Sequence, residues 1–173
     1  MRFLLWLSLT LFLSGTSAAF ADAQIIFLRH ALAPGTGDPS HFQVDDCSTQ
    51  RNLNEEGRAQ AKKLGQEFIA KGLKPTIILS SPWCRCKETA QLLGLGEWNT
   101  HFGLSSFYQG HVDRDEVLAA LKKELEDLPD GERLLLVTHQ VVISAVTGKY
   151  LTSGGYIVMN NSDIKWDKGR GLY

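Results

Sequence analysis

Short apolar runs alternate with longer segments of helical period along most of this 173-residue chain. The apolar runs are IIFL at residues 25–28, TIILSS at 76–81 and RLLLVTH at 133–139. Unbroken runs of this length are typical of strands that are buried on both faces of a parallel sheet. YIVMN at residues 156–160 predicts a last strand, and a short strand is expected near residues 100–102.

The segments between these runs predict four helices. Asn54 can cap the first, and Ser81 is expected to cap a second that ends near Leu93. Two more helices are expected at residues 112–128 and 141–147. The apolar face of the first helix is expected to contain Ala61, Leu64, Phe68 and Ile69. Strands that alternate with helices predict one three-layer α/β domain, with a mostly parallel central sheet and helices on both faces.

The first 21 residues differ from the rest and predict a signal peptide. Arg2 is the only charge before the apolar run at residues 3–13, and Ala19-Phe20-Ala21 follows the small-x-small pattern of a cleavage site. A run of about 11 residues is shorter than the roughly 20 that a spanning helix needs. We therefore expect a mature domain of residues 22–173, periplasmic or secreted, with no stable membrane span after cleavage. An uncleaved amino-terminal anchor is the alternative.

Charge and cysteine content narrow the function classes. With 18 basic and 19 acidic residues, the chain lacks the basic excess of a nucleic-acid-binding protein, and no nucleic-acid partner is expected. Export to an oxidising compartment favours a disulfide. Cys84 and Cys86 are too close in sequence to pair comfortably, so we expect Cys47 to pair with one of them. A metal site is the alternative, but one C-x-C lacks the paired C-x-x-C spacing of structural zinc sites.

Basic side chains follow three of the predicted strands. Arg29 and His30 end the first, Arg85 lies in the first turns after the second, and His139 ends the third. Because the carboxyl ends of parallel strands meet at one edge of a sheet, these side chains are expected to converge. Arginine forks bind phosphate oxygens bidentately. Nearby cations keep an imidazole neutral and nucleophilic, which is the chemistry of phosphoryl transfer to histidine.

Four segments carry a resemblance to a known family: FLRHA, RNLNEEGRAQAKKLG, SSPWCRCKETA and LLLVTHQ. In this order they resemble the histidine phosphatase superfamily, which has the phosphoglycerate-mutase-like fold, and they lie within residues 25–147. The small size and the export signal look most like the compact secreted bacterial branch, which includes phosphatases of lipopolysaccharide core heptose phosphate. The resemblance implies a small phosphorylated substrate, such as a sugar or lipopolysaccharide phosphate.

The resemblance also implies a role for each matching residue. His30 is the nucleophile that becomes phosphohistidine, and Arg29 and Arg85 hold the phosphoryl oxygens. His139 donates a hydrogen bond to those oxygens, and Arg51 is a further phosphate contact. No metal and no other cofactor is expected, because arginine and histidine supply the positive charge. Ser81 and Thr89 are expected to be structural residues.

The general acid of the family is missing from its usual positions. The segment GLSSFYQGHVDRDEV has no Glu at the L-x-E position, and Gln140 follows His139 where another branch has Asp. A leaving alkoxide needs a proton. His111 is one candidate donor, and the loop carboxylates are the others: Asp113, Asp115, Glu116 and Asp38.

The sequence therefore predicts an exported, metal-independent phosphomonoesterase that acts through phosphohistidine, with a sugar or glycan phosphate as substrate. Without a carboxylic acid, it is expected to favour good leaving groups such as sugar 1-phosphates or phosphohistidine. The alternative is a phosphate- or phosphoglycan-binding protein that has lost turnover on the same scaffold. A phosphoglycerate mutase is a third reading, which the export signal disfavours because mutase substrates are cytosolic.

Overall fold

The computed structural model describes residues 21–166, which contain five strands and four α-helices. In chain order the strands are β1 (Gln24–Arg29), β2 (Ile77–Ser80), β3 (Asn99–Thr100), β4 (Arg133–Thr138) and β5 (Tyr156–Asn160). The helices are α1 (Glu55–Ala70), α2 (Cys84–Leu93), α3 (Arg114–Glu126) and α4 (Gln140–Thr147). The predicted signal peptide lies outside the described residues except for its last residue, Ala21.

The five strands form one sheet in the order β3-β2-β4-β1-β5. The pairs β3–β2, β2–β4 and β4–β1 are parallel, and β5 pairs antiparallel with β1. The prediction of a mostly parallel sheet is therefore confirmed. β5 is an edge strand with half-buried and exposed residues, which differs from the full burial of the central strands.

The central strands bury both faces, because successive side chains of a strand point to opposite sides of the sheet. Ile25 and Phe27 of β1 pack in a core with residues of α3 and α4. Ile26 and Leu28 pack in a second core with residues of α1 and α2. Two helices on each face confirm the predicted three-layer α/β fold.

Helix α1 begins where its capping residue predicts. The side chain of Asn54 accepts a hydrogen bond from the Gly57 amide at 2.8 Å. Ala61, Leu64 and Phe68 are buried as predicted, but Ile69 is 64% exposed. The prediction for Ile69 is wrong because one residue advances a helix by about 100°, which turns Ile69 off the buried stripe that ends at Phe68.

Two glycines of α1 allow close backbone contacts beside the site. A Cβ atom at Gly57 would lie 2.0 Å from the carbonyl oxygen of Leu32, in the loop after β1. A Cβ atom at Gly65 would lie 1.9 Å from the carbonyl oxygen of Leu93, at the end of α2. Helix α1 therefore packs directly against backbone on both sides.

A disulfide joins the long loop after β1 to the start of α2. It links Cys47 to Cys84, one of the two pairings that the sequence left open, while Cys86 is a buried free thiol. The side chain of Gln50 accepts a hydrogen bond from the Cys84 amide at 2.9 Å. Within residues 21–166, no helix combines the length and the apolar character needed to cross a membrane.

Candidate active site

A cavity of about 280 Å³ lies at the carboxyl ends of β1 and β4. The five basic side chains that the sequence singled out all line it: Arg29, His30, Arg51, Arg85 and His139. The wall is completed by the loop at residues 35–37, by Ser106 and Tyr108, by the start of α4 and by Tyr150. The sheet therefore brings together the residues that follow its parallel strands.

His30 is held as a neutral imidazole with one free lone pair. Its Nδ1 lies 2.8 Å from the carbonyl oxygen of Ala31, which can only accept, so Nδ1 carries the proton and Nε2 the lone pair. Burial, and after it the positive charge of Arg85, lowers the pKa of His30 to about 3. The imidazole is therefore unprotonated and nucleophilic near pH 7.

The loop that carries His30 is fixed by Thr89 of α2. The Thr89 hydroxyl accepts a hydrogen bond from the Ala31 amide at 3.1 Å and donates one to the Arg85 carbonyl at 2.7 Å. Thr89 thereby links the segment that follows the nucleophile to the first turns of α2.

The two ring nitrogens of His139 both lie within hydrogen-bond distance of protein groups. Its Nδ1 lies 3.4 Å from Nη2 of Arg85, which can only donate, so Nε2 carries the proton and donates to Oγ of Ser81 at 2.8 Å. Burial lowers the pKa of His139 well below its usual value. His139 also lines the cavity, and the hydrogen bond from His139 to a phosphoryl oxygen that the resemblance implies stays a prediction.

Ser81 is the partner of His139 and does not cap α2. The cap position belongs to Trp83, which makes no side-chain cap hydrogen bond, and the helix begins at Cys84. The Ser81 hydroxyl also accepts from the Trp83 amide at 3.3 Å. The predicted cap is wrong because the hydroxyl lies two residues before the cap position and binds the imidazole.

The guanidinium groups of Arg29 and Arg51 are anchored to backbone carbonyls. Nη1 of Arg29 donates to Leu151 at 2.8 Å, and Nε of Arg51 donates to Gly37 at 2.9 Å. Within residues 21–166, the buried Nε of Arg29 has no hydrogen-bond acceptor. Burial lowers the pKa of Arg51 to about 10, so this side chain stays charged at neutral pH.

Arg85 forms a buried ion pair with Asp38. Nη1 and Nη2 of Arg85 donate to Oδ1 and Oδ2 of Asp38 at 2.8 and 3.2 Å, and each side chain is only 3% exposed. Burial alone would raise the pKa of Asp38, but the hydrogen bonds and charge of Arg85 outweigh it, and the net pKa is lowered. Asp38 is therefore ionised and has no proton to donate to a leaving group.

The structure does not bring the other candidate acids to the cavity. Asp113 caps α3, since its Oδ1 accepts from the amides of Asp115 and Glu116 at 2.9 Å. The side chain of Asp115 is 88% exposed, and Glu116 points from the same exposed turn. His111 stacks on Phe42, with ring centroids 4.4 Å apart. For Asp113 the reason is local, because its carboxylate accepts from the amides of the first helical turn.

Ser106 and Tyr150 are cavity residues that the sequence argument missed. Ser106, which is 4% exposed, stands at the Glu position of the L-x-E pattern, and this position in the sequence is the signal that points to it. No local pattern identifies Tyr150, which is 75% exposed at the rim. Its loop is fixed by Gln140, whose side chain accepts from the Leu151 amide at 2.8 Å and donates to the Lys149 carbonyl at 2.9 Å.

Sequence comparison finds similarity to the histidine phosphatase superfamily over part of the chain. A profile of the histidine phosphatase superfamily (branch 1) matches residues 25–105. An uncharacterised protein of Picosynechococcus sp. is 30% identical over 119 residues, which is 68% of this chain and 66% of the relative. An uncharacterised chloroplastic protein of Arabidopsis thaliana is 38% identical over 93 residues, which is 49% of this chain and 38% of the relative. The matched part of the chain thus spans less than two thirds of the length of either relative.

Solved structures share the fold. A SixA protein from Agrobacterium tumefaciens superposes with a TM-score of 0.54 at 22% identity, covering 82% of this chain and 91% of that one. The protein histidine phosphatase SixA in complex with tungstate gives 0.57 at 15% identity, covering 83% and 94%. A mycobacterial glucosyl-3-phosphoglycerate phosphatase gives 0.54 at 19% identity, covering 83% and 95%. The chain thus has the phosphoglycerate-mutase-like fold of the histidine phosphatases, and its residues 25–105 are similar to the profile of that superfamily.

Proposed function

We propose that this protein is a metal-independent phosphomonoesterase that acts through a phosphohistidine at His30. The observation that carries the proposal is the fixed tautomer of His30, whose Nδ1 proton is held by the Ala31 carbonyl, in a cavity lined by three guanidinium groups. Its Nε2 lone pair is the nucleophile. A neutral imidazole among fixed cations suits attack on a phosphoryl group.

The reaction has two steps. Nε2 of His30 attacks phosphorus while the bond to the leaving-group oxygen breaks, and the electron pair of that bond goes to the oxygen. Water then attacks phosphorus while the N–P bond breaks, and the electron pair of that bond returns to Nε2, which restores the imidazole. One proton of the water stays on the released phosphate, and the other passes through solvent to the alkoxide that left in the first step. Arg29 and Arg85 stabilise the negative charge that spreads over the phosphoryl oxygens in both steps.

The leaving group sets the substrate range. Among the described residues that line the cavity there is no carboxylate, and the hydroxyl groups there belong to Thr36, Ser106, Tyr108 and Tyr150. A hydroxyl is a weak proton donor near pH 7, so unactivated alkyl phosphates are expected to react slowly. Substrates whose leaving group needs little protonation, such as anomeric sugar phosphates or phosphohistidine, are expected to react faster.

Two substrate classes follow from this restriction. Tyr108 and Tyr150 are 49% and 75% exposed at the rim, where aromatic rings suit the apolar face of a sugar. This supports a sugar or glycan phosphate, including a heptose phosphate of lipopolysaccharide. Similarity to SixA proteins, which are described as phosphohistidine phosphatases, supports a phosphorylated histidine side chain instead.

We further propose that the protein is exported to the periplasm or secreted. The support is the composition of residues 1–21 and the disulfide between Cys47 and Cys84, a bond that persists in oxidising compartments. Detection of a mature chain that begins at Asp22 in a periplasmic or secreted fraction would test this proposal. A full-length chain confined to the cytoplasm would contradict it.

Rapid-quench labelling tests the catalytic proposal. With a radiolabelled aryl phosphate, wild type is expected to form a stoichiometric, acid-labile phosphoenzyme, and His30→Ala is expected to form none. His41→Ala is the matched control, because His41 is an exposed histidine of the loop after β1. Wild-type hydrolysis by His30→Ala would refute the assignment.

The alternative is a phosphate- or phosphoglycan-binding protein without turnover. It is favoured by one specific observation, the ion pair that leaves Asp38 without a proton to donate. A panel of sugar phosphates, lipopolysaccharide fragments, phosphopeptides and phosphohistidine separates the two functions. Saturable phosphate binding with no phosphate release from any panel member would establish the binding protein.

A further inference from the structure

The carboxylate of Asp38 is surrounded by four N–H donors that come from three residues in two parts of the chain. Oδ1 accepts from Nη1 of Arg85 at 2.8 Å and from the amide of Arg51 at 3.0 Å. Oδ2 accepts from Nη2 of Arg85 at 3.2 Å and from Nε1 of Trp83 at 3.1 Å. A buried carboxylate with every lone-pair direction occupied is a fixed anchor, since any movement breaks charge-assisted hydrogen bonds.

The backbone of Asp38 is held as firmly as its side chain. Its amide donates to Oε1 of Gln109 at 2.7 Å, and its carbonyl accepts from Nε2 of the same side chain at 3.2 Å. Gln109 has a φ of 70°, and it is the only non-glycine residue with positive φ in the described part of the chain. A strained backbone of this kind persists only where surrounding contacts hold it. Here the hydrogen bonds of Gln109 join the loop of Asp38 to the segment of Ser106 and Tyr108.

Asp38 and two other residues occupy the Nη groups of the Arg85 guanidinium. Asp38 takes the edge formed by Nη1 and Nη2, while Nη2 also lies 3.4 Å from Nδ1 of His139. Nε of Arg85 is buried and finds no acceptor within the described residues. Nη1 also donates to the carbonyl of Arg51 at 3.3 Å, so Nε carries the one uncommitted N–H of Arg85 within the described residues. Arg85 lines the cavity.

We infer that Asp38 is a positioning residue, which fixes the Arg85 guanidinium in the place where it binds the phosphoryl group. The inference rests on the proposed function, because it assumes that phosphate occupies this cavity. It assigns Asp38 to orienting a cation, and it removes Asp38 from the candidates for the general acid. Asp38 does not touch the substrate and acts only through Arg85.

Charge alone predicts that phosphate binds more tightly when the carboxylate of Asp38 is removed. Three guanidiniums, one carboxylate and two neutral imidazoles give this cluster a net charge of +2, and Asp38→Asn would raise it to +3. If Asp38 only reduced the positive charge, its removal would make phosphate bind more tightly. A positioning role predicts that Asp38→Asn binds phosphate more weakly. The NH₂ group of the asparagine would face two donors, Nη2 of Arg85 and Nε1 of Trp83, so the guanidinium would no longer be held in place.

Isothermal titration with inorganic phosphate, together with aryl phosphate kinetics, separates these outcomes. For Asp38→Asn we expect phosphate affinity to fall about tenfold or more, the effect of losing a hydrogen bond to a charged group. We expect kcat/KM to fall about 100-fold, as for a catalytic group displaced by about 1 Å. Asp45→Asn is the matched control, because Asp45 is an exposed carboxylate of the same loop. Tighter phosphate binding to Asp38→Asn would overturn the inference.

Double variants show whether Asp38 acts through Arg85. In an Arg85→Gln background, Asp38→Asn is expected to cause no further loss of phosphate affinity, whereas in an Arg29→Ala background it keeps its full effect. Losses that multiply in both backgrounds would overturn the inference, since a general structural role behaves in that way.

A milder variant covers the case in which Asp38→Asn does not fold. Gln109→Gly removes the strain and the hydrogen bonds to the Asp38 backbone, and it is expected to weaken phosphate binding about threefold to tenfold, the range of a net hydrogen bond. Unchanged affinity in Gln109→Gly would then count against the inference. If wild type binds inorganic phosphate but hydrolyses no phosphate ester, the proposed hydrolysis alone is refuted. If wild type binds no phosphate, both proposals are overturned.

Discussion

The disulfide offers the most quantitative prediction, because its effect follows from the length of chain that it closes. Cys47 and Cys84 are 37 residues apart. In the chain-entropy description, a closed loop of this length lowers the entropy of the unfolded chain by the equivalent of about 4 kcal/mol. We therefore expect the variant Cys47→Ser/Cys84→Ser to lose about that much free energy of unfolding.

The assay is equilibrium unfolding in urea. With an m value of about 2 kcal/mol/M, a loss of this size lowers the midpoint by about 2 M. Wild type treated with reductant is expected to unfold at the midpoint of the variant, and reductant is expected to leave the variant unchanged. Peptide mapping of the oxidised protein should recover Cys47 joined to Cys84, with Cys86 alkylated only after unfolding.

The same variant is expected to keep its activity while it is folded. The loop is held near α2 by further contacts, since Gln50 accepts from the Cys84 amide at 2.9 Å and donates to the carbonyls of Gln43 and Val44 at 3.0 and 2.9 Å. A disulfide acts mainly on the unfolded chain, so kcat/KM at 25 °C should be unchanged. An unchanged urea midpoint, or a loss of kcat/KM in fully folded variant, would refute this reasoning.

Three further predictions concern the site and its supporting helices. His30 has a pKa of about 3 in the folded protein and about 6.5 in the unfolded chain, so the free energy of unfolding falls as the pH drops from 6.5 toward 3. Between pH 6.5 and pH 5 this loss is about 2 kcal/mol, and His30→Gln should not show it in urea unfolding. Helix propensity alone would let Gly65→Ala raise the free energy of unfolding by about 1 kcal/mol. Because the new Cβ would lie 1.9 Å from the Leu93 carbonyl oxygen, we expect instead a loss of about 1–3 kcal/mol in thermal unfolding, and a gain would contradict the close contact. Ser81→Ala leaves the buried Nε2 proton of His139 with only the sulfur of Cys86, a weak acceptor 3.5 Å away, so it should cost about 1–3 kcal/mol of unfolding free energy and raise KM for an aryl phosphate. Wild-type stability would show that the hydrogen bond to Ser81 is dispensable.

The fold could be read from the sequence because its signals are local. Each central strand is a continuous apolar run, and the alternation with helices leaves few topologies for a parallel sheet. The position of Arg29, His30 and His139 at the cavity follows from that topology, because each ends or follows a strand whose carboxyl end lies at the same edge. The antiparallel direction of β5 and the exposure of Ile69 were not readable, since both depend on which side the rest of the chain covers.

The roles of the side chains were decided by tertiary structure. Asp38 contacts Arg85 across 47 residues, and Ser81 contacts His139 across 58. No sequence pattern distinguishes a loop carboxylate that is free to donate a proton from one that is buried against a guanidinium, because the difference is the distance between two segments after folding. The sequence thus determined which chemical groups meet at the sheet edge, and only the packing of loops around them determined which nitrogens and oxygens remain available for a phosphoryl group.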